Sequence, residues 1–303
     1  MNYFQYKELL SPPIKRAAYS DRTAWVMAVM SNLAYIKCET GEDQKEELKD
    51  ALTEAGFELI EVFSKDGTQA FLAKRESDKF LALAFRGTEK DKFGDIVADL
   101  DARFYKNEQG IKIHNGFYQA FSCVKEIISI ELAKFKEYSL YITGHSLGGA
   151  LALVATREFN SDNLAACYTF GSPRVGSSEF GDDIKPPIYR IVNALDPVPC
   201  LPFIYLYTFL YSVGKFLEKK FRISWLRKYV EKNKNYYAHH GDMRFLTVCG
   251  TDYKNVRLIY SYDETWRLIR LLVAIIKHRR VSVSDHAIHE YCKKLGEYGL
   301  KRI

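Results

Sequence analysis

Ser146 is the residue in this sequence whose surroundings best equip it for covalent chemistry. It sits in Gly144-His-Ser146-Leu-Gly148, with the apolar run Leu140-Tyr-Ile-Thr before it and Gly-Ala-Leu-Ala-Leu after it. A strand that turns sharply through Gly-x-Ser-x-Gly into a helix lifts the serine hydroxyl above a sheet. The amino end of that helix then aims its unpaired N–H groups and positive dipole at developing negative charge. This arrangement suits attack on an acyl carbonyl. A serine hydroxyl is a weak nucleophile near neutrality, so it needs a base within hydrogen-bond reach and a carboxylate to orient that base. With a nucleophile on such an elbow, the acid and then the base follow later in the chain. Asp196, in Asn193-Ala-Leu-Asp196-Pro-Val-Pro, lies past a strand pattern and before two prolines that hold an irregular loop; its competing reading is a simple Asp-Pro turn former. Five histidines remain: His239, His240, His278, His286 and His289. His286 is preferred because Ser282-Val-Ser-Asp285-His286 reads as a loop entering a carboxyl-terminal helix with Ser284 or Asp285 as cap. His289 would fall inside that helix and stays open as a rival.

The tetrahedral intermediate of acyl transfer also needs two preplaced donors, each worth roughly 3 kcal/mol. The Leu147 N–H is one. The other should come from an earlier strand end, and Phe80-Leu-Ala-Leu-Ala-Phe-Arg86-Gly87-Thr88 supplies a strand closing in a glycine turn with a hydroxyl residue. Thr88 is the candidate, by its backbone N–H.

These residues need a sheet with helices between its strands, and the hydrophobic pattern provides one. Runs at 58–63, 69–74 and 80–85, separated by turn-like tetrads, read as successive antiparallel strands. Helix-like 117–138, strand-like 140–143, helix-like 147–159 and strand-like 165–170 and 189–192 follow. Such alternation predicts an α/β fold with a mainly parallel central sheet flanked by helices, and ligands at the carboxyl ends of its strands.

The chain has 303 residues, 47% hydrophobic and 27% charged, which excludes a disordered or collagenous polymer. Its net charge of +6 is local rather than general: residues 201–240 alone contain eight Lys or Arg against two Glu, and eleven aromatic residues. This argues against a nucleic-acid binder and for one basic, aromatic surface. Six scattered cysteines suit a reducing compartment, and neither a disulfide framework nor a zinc pattern is visible. Met1 to Leu10 shows no export signal. The most apolar stretches, 201–213 and 268–276, fall short of the ~20 residues needed to span a bilayer. The expected location is cytoplasmic or peripheral to a membrane.

Taken in order, the sequence resembles the class 3 lipase family, the fungal-lipase-like branch of the α/β hydrolases. The likeness runs over about residues 80–295 and rests on six collinear pieces: Ala84-Phe-Arg-Gly-Thr-Glu with Asp95-x-x-x-Asp99-Leu; His114-Asn-Gly-Phe; Gly144-His-Ser-Leu-Gly-Gly-Ala-Leu-Ala; Thr169-Phe-Gly-Ser-Pro-Arg-Val-Gly; Asn193-Ala-Leu-Asp-Pro-Val-Pro; and Asp285-His. The resemblance implies an α/β-hydrolase fold, a triad of Ser146, Asp196 and His286, and an oxyanion hole from Thr88 and Leu147. It also implies hydrolysis of lipid carboxylic esters, acylglycerols or phospholipids, with no metal or cofactor. It favours His286 over His289, and it assigns Asp95, Asp99, His114 and Arg174 to the support of the site. The domain reading is one hydrolase domain over 1–303, with a lid at 89–110 and an inserted cap or membrane-facing segment at 201–240. Within 201–240, Phe209, Val213, Phe216 and Leu217 cluster on one helical face and Lys215, Lys219 and Arg222 face away, with Lys220 as an exception, which suits an interfacial helix or equally a cap helix packed over the acyl pocket with solvated lysines. The rival readings are an acyltransferase or thioesterase using the same serine, and a non-catalytic lipid-binding protein on the same fold. Oligomeric state is not readable from the residues.

Overall fold

The computed structural model describes residues 3, 5–10, 18–87, 104–202, 218, 220, 237–260, 262–263, 266–267, 269–270, 273 and 283–303. The lid expected at 89–110 is thus described only from residue 104. The insertion expected at 201–240 is described only at 201–202, 218, 220 and 237–240.

The three early runs form strands β1 (Glu58–Lys65), β2 (Thr68–Arg75) and β3 (Phe80–Phe85), paired antiparallel in sequence. A short hairpin of β4 (Phe104–Lys106) and β5 (Lys112–His114) stands apart from the main sheet. The parallel strands β6 (Ser139–His145), β7 (Leu164–Phe170), β8 (Ile188–Asn193) and β9 (Asp242–Leu246) then extend from β3 in order, and β10 (Leu258–Tyr260) closes the edge antiparallel to β9. The eight-stranded order is β1-β2-β3-β6-β7-β8-β9-β10. This is the α/β-hydrolase arrangement, with a mainly parallel centre and antiparallel margins.

Strand β3 shows why the sheet is buried on both sides. Every residue of Phe-Leu-Ala-Leu-Ala-Phe is buried, as a central strand between two helical layers demands. Side chains alternate along a strand, so Phe80, Ala82 and Ala84 pack with helices α1 (Asp21–Leu33) and α2 (Glu42–Thr53), together with the helix that ends the chain. Leu81, Leu83 and Phe85 pack instead with α3 (Asn115–Leu132) and α4 (Leu147–Glu158). The terminal helix, α5 (Ile288–Leu300), lies against α1. Neither Ser284 nor Asp285 caps α5. Its N-cap is Ala287, with no side-chain bond, and residues Val283–His286 form a separate 3-10 turn. Among the described residues no helix is long and apolar enough to cross a membrane.

Helix α1 is fixed to the strand that leads into Ser146. The Thr143 hydroxyl of β6 lies 2.8 Å from the Ser31 hydroxyl and within reach of the Tyr168 and Met27 carbonyl oxygens at 2.9 and 3.2 Å, all buried. Replacing Thr143 by Val leaves Ser31 with no partner at that position, and a lost buried hydrogen bond costs about 1–3 kcal/mol. Thr143→Val should therefore lower stability by about that amount in urea unfolding. The Ser31→Ala/Thr143→Val pair should cost less than the sum of the single changes.

Candidate active site

Ser146 stands between β6 and α4 with φ 58° and ψ −126°, a conformation that a non-glycine residue adopts only when its neighbours impose it. The neighbours do so from both sides. The Ser146 N–H donates to the Phe170 carbonyl at the end of β7 (2.9 Å), and its own carbonyl accepts from Gly149 and Ala150 in the first turn of α4. At an ordinary helix start a serine hydroxyl would turn onto the helix N–H groups; here it makes no such bond. The helix can approach this closely because residue 148 is glycine. A Cβ there would meet the Phe85 carbonyl oxygen at 2.3 Å and the Gly87 nitrogen at 2.9 Å.

The freed hydroxyl lies 2.9 Å from Nε2 of His286. Nδ1 of the same ring is 3.0 and 3.1 Å from the two carboxylate oxygens of Asp196. A carboxylate accepts, so Nδ1 carries the proton and Nε2 is left to accept from Ser146. All three side chains are buried. The structure thus brings together the three residues that the sequence singles out from segments 50 and 90 residues apart. Gly171 forms the wall behind them: with φ +57° it tolerates no side chain, and a Cβ there would sit 2.5 Å from Asp196 Oδ2 and 3.1 Å from His286 Nδ1.

Several supporting residues escaped the sequence reading. Tyr291 of α5 donates its hydroxyl to Asp196 Oδ2 at 2.5 Å and accepts from the Asn193 N–H at 3.1 Å. Burial, then the Asp196 charge, holds its phenol well above the ordinary value, so it remains a donor. The Val198 N–H donates to Asp196 Oδ1. Buried Lys294 donates to Asn193 Oδ1 (2.7 Å), whose amide in turn donates to the Asp285 carbonyl (2.8 Å), one residue before His286. Asp285 itself, its carboxyl pushed up by burial, accepts from the Leu195 N–H. Arg267 donates to the Asp196 carbonyl at 2.7 Å. His145 packs against His286 with ring centres 4.5 Å apart and planes tilted by 34°; its Nε2 donates to the His286 carbonyl, and its Nδ1 accepts from Tyr35. The only sequence signal for Tyr291 and Lys294 is their spacing on the inner face of α5 beside Ile288 and Leu295, which marks core rather than chemistry.

Of the residues expected to support the site, Arg174 donates to the carbonyls of Cys200 and Pro202 and so fixes the chain beyond Asp196. His114 caps α3 by accepting from the Phe117 N–H. Leu147 opens α4 immediately after Ser146, where first-turn N–H groups have no partner within the helix. Thr88, Asp95 and Asp99 lie outside the described residues; Gly87, just before Thr88, is buried against the start of α4. A cavity of about 480 Å³ opens there, lined by Lys37, Glu39, Arg86, Gly87, Leu147 and Leu151.

The other histidines are elsewhere. His289 is half exposed and pairs with Glu290 at 3.4 Å. His240 packs on Phe180, and His239 donates to the Pro199 carbonyl at 2.7 Å. His278 lies outside the described residues.

Known proteins resemble this chain over its central part. Residues 82–206 match the family described as Lipase (class 3). The chain is 36% identical over 151 residues to a lipase from Rhizomucor miehei, covering 45% of this chain and 41% of that one. It is 31% identical over 156 residues to secreted mono- and diacylglycerol lipase 1 from Fusarium solani, covering 46% and 45%. It therefore spans less than half the length of these relatives. Among solved structures, the lipase from Rhizopus microsporus var. chinensis shares the fold with TM-score 0.60 at 22% identity, over 93% of this chain and 85% of that one.

His239 gives this region a pH dependence with a definite sign. Burial, followed by the charges of Arg190 and Arg174, pushes its pKa well below the ordinary value, so it is neutral when folded. In the unfolded chain it takes up a proton below about pH 6.5. Its contribution is therefore present above that pH and lost as pH falls, by up to about 1.4 kcal/mol per pH unit. Urea unfolding between neutral and mildly acidic pH should show this slope in the wild type and its loss in His239→Leu.

Proposed function

We propose that this chain, whose residues 82–206 are a class 3 lipase segment, is a serine hydrolase of lipid carboxylic esters that works through an acyl-enzyme on Ser146. The observation that carries the reading is the continuous line of hydrogen bonds from Ser146 Oγ through His286 to the buried carboxylate of Asp196. In the first step Ser146 Oγ bonds to the ester carbonyl carbon while its proton passes to His286 Nε2. The carbonyl oxygen becomes an oxyanion, received by the N–H groups of Leu147 and Thr88. Asp196 stabilises the imidazolium without taking its proton. Collapse breaks the bond to the alcohol, which leaves with the proton held on His286. Water then repeats the sequence in reverse roles, releasing the acid and restoring Ser146.

The relatives named as lipases, and as a mono- and diacylglycerol lipase, support acylglycerols as the substrate class. The basic, aromatic segment 201–240 favours a substrate presented at a membrane or phospholipid surface, with phospholipids as an extension of the range. Six free thiols favour a reducing compartment, at the inner face of such a membrane.

Three experiments test the assignment. Against p-nitrophenyl esters, acylglycerols and phospholipids, Ser146→Ala should lose on the order of 10⁴- to 10⁶-fold in turnover and should no longer be labelled by a fluorophosphonate. Wild-type turnover in that variant would overturn the reading. Added alcohols should divert little of the acyl product; acyl transfer to alcohol in preference to water would make the enzyme a transferase. Tyr291→Phe removes one donor to Asp196 while two remain, so kcat should fall about tenfold to a hundredfold with KM unchanged, consistent with a hydrogen bond to a charged group.

A further inference from the structure

Helix α1 meets strand β6 in two steps. Four residues of helix advance about 6 Å and two residues of strand about 6.7 Å, so Ser31 and the residue one turn on, Tyr35, come opposite Thr143 and His145. The first step is the buried contact between the Ser31 and Thr143 hydroxyls. The second lies inside the site. Tyr35 follows α1 directly, its N–H still donating back to the Asn32 carbonyl, and its hydroxyl is 2.8 Å from His145 Nδ1. The hydroxyl has little room to turn elsewhere, because the Gly87 backbone closes over it. A Cβ on Gly87 would stand 2.3 Å from the Tyr35 oxygen and 2.5 Å from the His145 carbonyl oxygen. The far side of the His145 ring reaches the base: Nε2 lies 2.6 Å from the His286 carbonyl oxygen, and the two ring centres are 4.5 Å apart. Two successive carbonyls of the turn that carries the base are thus each held by a side chain, that of Asp285 by Asn193 and that of His286 by His145.

We propose that Tyr35 and His145 are positioning residues for the hydrolysis: Tyr35 fixes His145 as the neutral Nε2–H tautomer, and His145 in turn holds the backbone of His286 in register with Ser146. The inference rests on the reading of Ser146 as nucleophile and His286 as base. The proton assignment follows from the partners. A carbonyl oxygen only accepts, so His145 Nε2 carries a proton. A second proton, on Nδ1, would make this buried ring a cation beside the ring that must become one when it takes the Ser146 proton. Two unit charges so close inside a protein oppose each other by on the order of a hundredfold in an equilibrium constant. Nδ1 is therefore a lone pair, and a buried lone pair needs a donor. Tyr35 supplies it. Burial pushes its phenol above the ordinary value, against a smaller lowering by Arg86, so the hydroxyl keeps its proton. Without that donor the ring gains by taking a proton on Nδ1 or by turning. The first places a charge against the base, and the second releases the His286 carbonyl.

The test follows turnover of a soluble short-chain ester by the full chain, so that no lipid surface intervenes. Tyr35→Phe should lower kcat on the order of tenfold and His145→Leu up to about a hundredfold, with KM unchanged, as a small misplacement of a reacting group requires. His145→Gln should restore most of what His145→Leu loses, because its amide can donate to the His286 carbonyl and accept from Tyr35 with no proton to misplace. In the His145→Gln background Tyr35→Phe should cost less than in the wild type, whereas a hydroxyl that only supports the fold would cost the same in both. A further measurement needs no variant to fold. In the wild type with isotope-labelled histidine, the nuclear magnetic resonance signals of the His145 ring, assigned through its own Cβ, should be those of a neutral imidazole protonated on Nε2. In Tyr35→Phe part of the population should carry a proton on Nδ1. Wild-type kcat in Tyr35→Phe, an equal cost of that change in both backgrounds, or a wild-type His145 ring protonated on Nδ1 would each overturn the proposal. A wild type that neither hydrolyses esters nor takes a fluorophosphonate would overturn the enzyme reading instead. The tautomer of His145 is read without turnover, so the two failures are distinguishable.

Discussion

A carboxylate with no exposure to water organises this molecule. Taking Asp196 out of solvent costs several kcal/mol unless its oxygens are met by donors, and each donor comes from a different stretch of chain. Val198 supplies a backbone N–H from the same loop, His286 an imidazole from the 3-10 turn before α5, and Tyr291 a phenol from α5 itself. Satisfying one buried charge therefore binds the end of β8, the base-bearing turn and the terminal helix into a single arrangement. The Tyr291 hydroxyl extends it further by accepting from Asn193, which also carries Lys294 on its side-chain oxygen. His286 is thus oriented by the same bonds that make burial of its partner tolerable.

The nucleophile is held by a different economy, that of backbone shape. Ser146 has a dihedral combination that costs of order 1–3 kcal/mol, sustained because a strand fixes its nitrogen and a helix fixes its carbonyl. The helix can come so close only because Gly148 presents no side chain to the Phe85 carbonyl. Gly171 plays the matching part on the other side, where the space a methyl group would take is occupied by Asp196 and His286. Charge satisfaction sets one half of the site and steric permission sets the other. They meet at the 2.9 Å contact between Ser146 and His286.

This division explains what the sequence could and could not disclose. The elbow is local: strand, turn and helix are contiguous, so Gly144 to Leu153 announces its own geometry. The central strands were legible because burial on both faces leaves continuous apolar runs such as Phe80 to Phe85. The choice between His286 and His289 was not legible from spacing, since both fall within one short segment. The resemblance favoured His286, and the packed structure shows why: its ring faces Asp196, whereas that of His289 is paired outward with Glu290. Tyr291, Lys294 and Arg267 were hidden for a related reason. A polar side chain on the inner face of a helix reads as core pattern or stray charge until its partner, 71 to 101 residues earlier, is known.

Arg267 adds a tie to the acid loop from beyond the sheet. Lipid esters reside in an aggregated phase, so an enzyme acting on them must present a dry, buried relay to an interface while keeping water away from Asp196. In this structure the guanidinium of Arg267, buried beside Cys200, grips the carbonyl of Asp196. A carbonyl held by a guanidinium in a buried setting resists displacement, because leaving either group unpaired there carries the full cost of its lost hydration. The turn that carries Arg267 is thereby tied to the loop that carries Asp196.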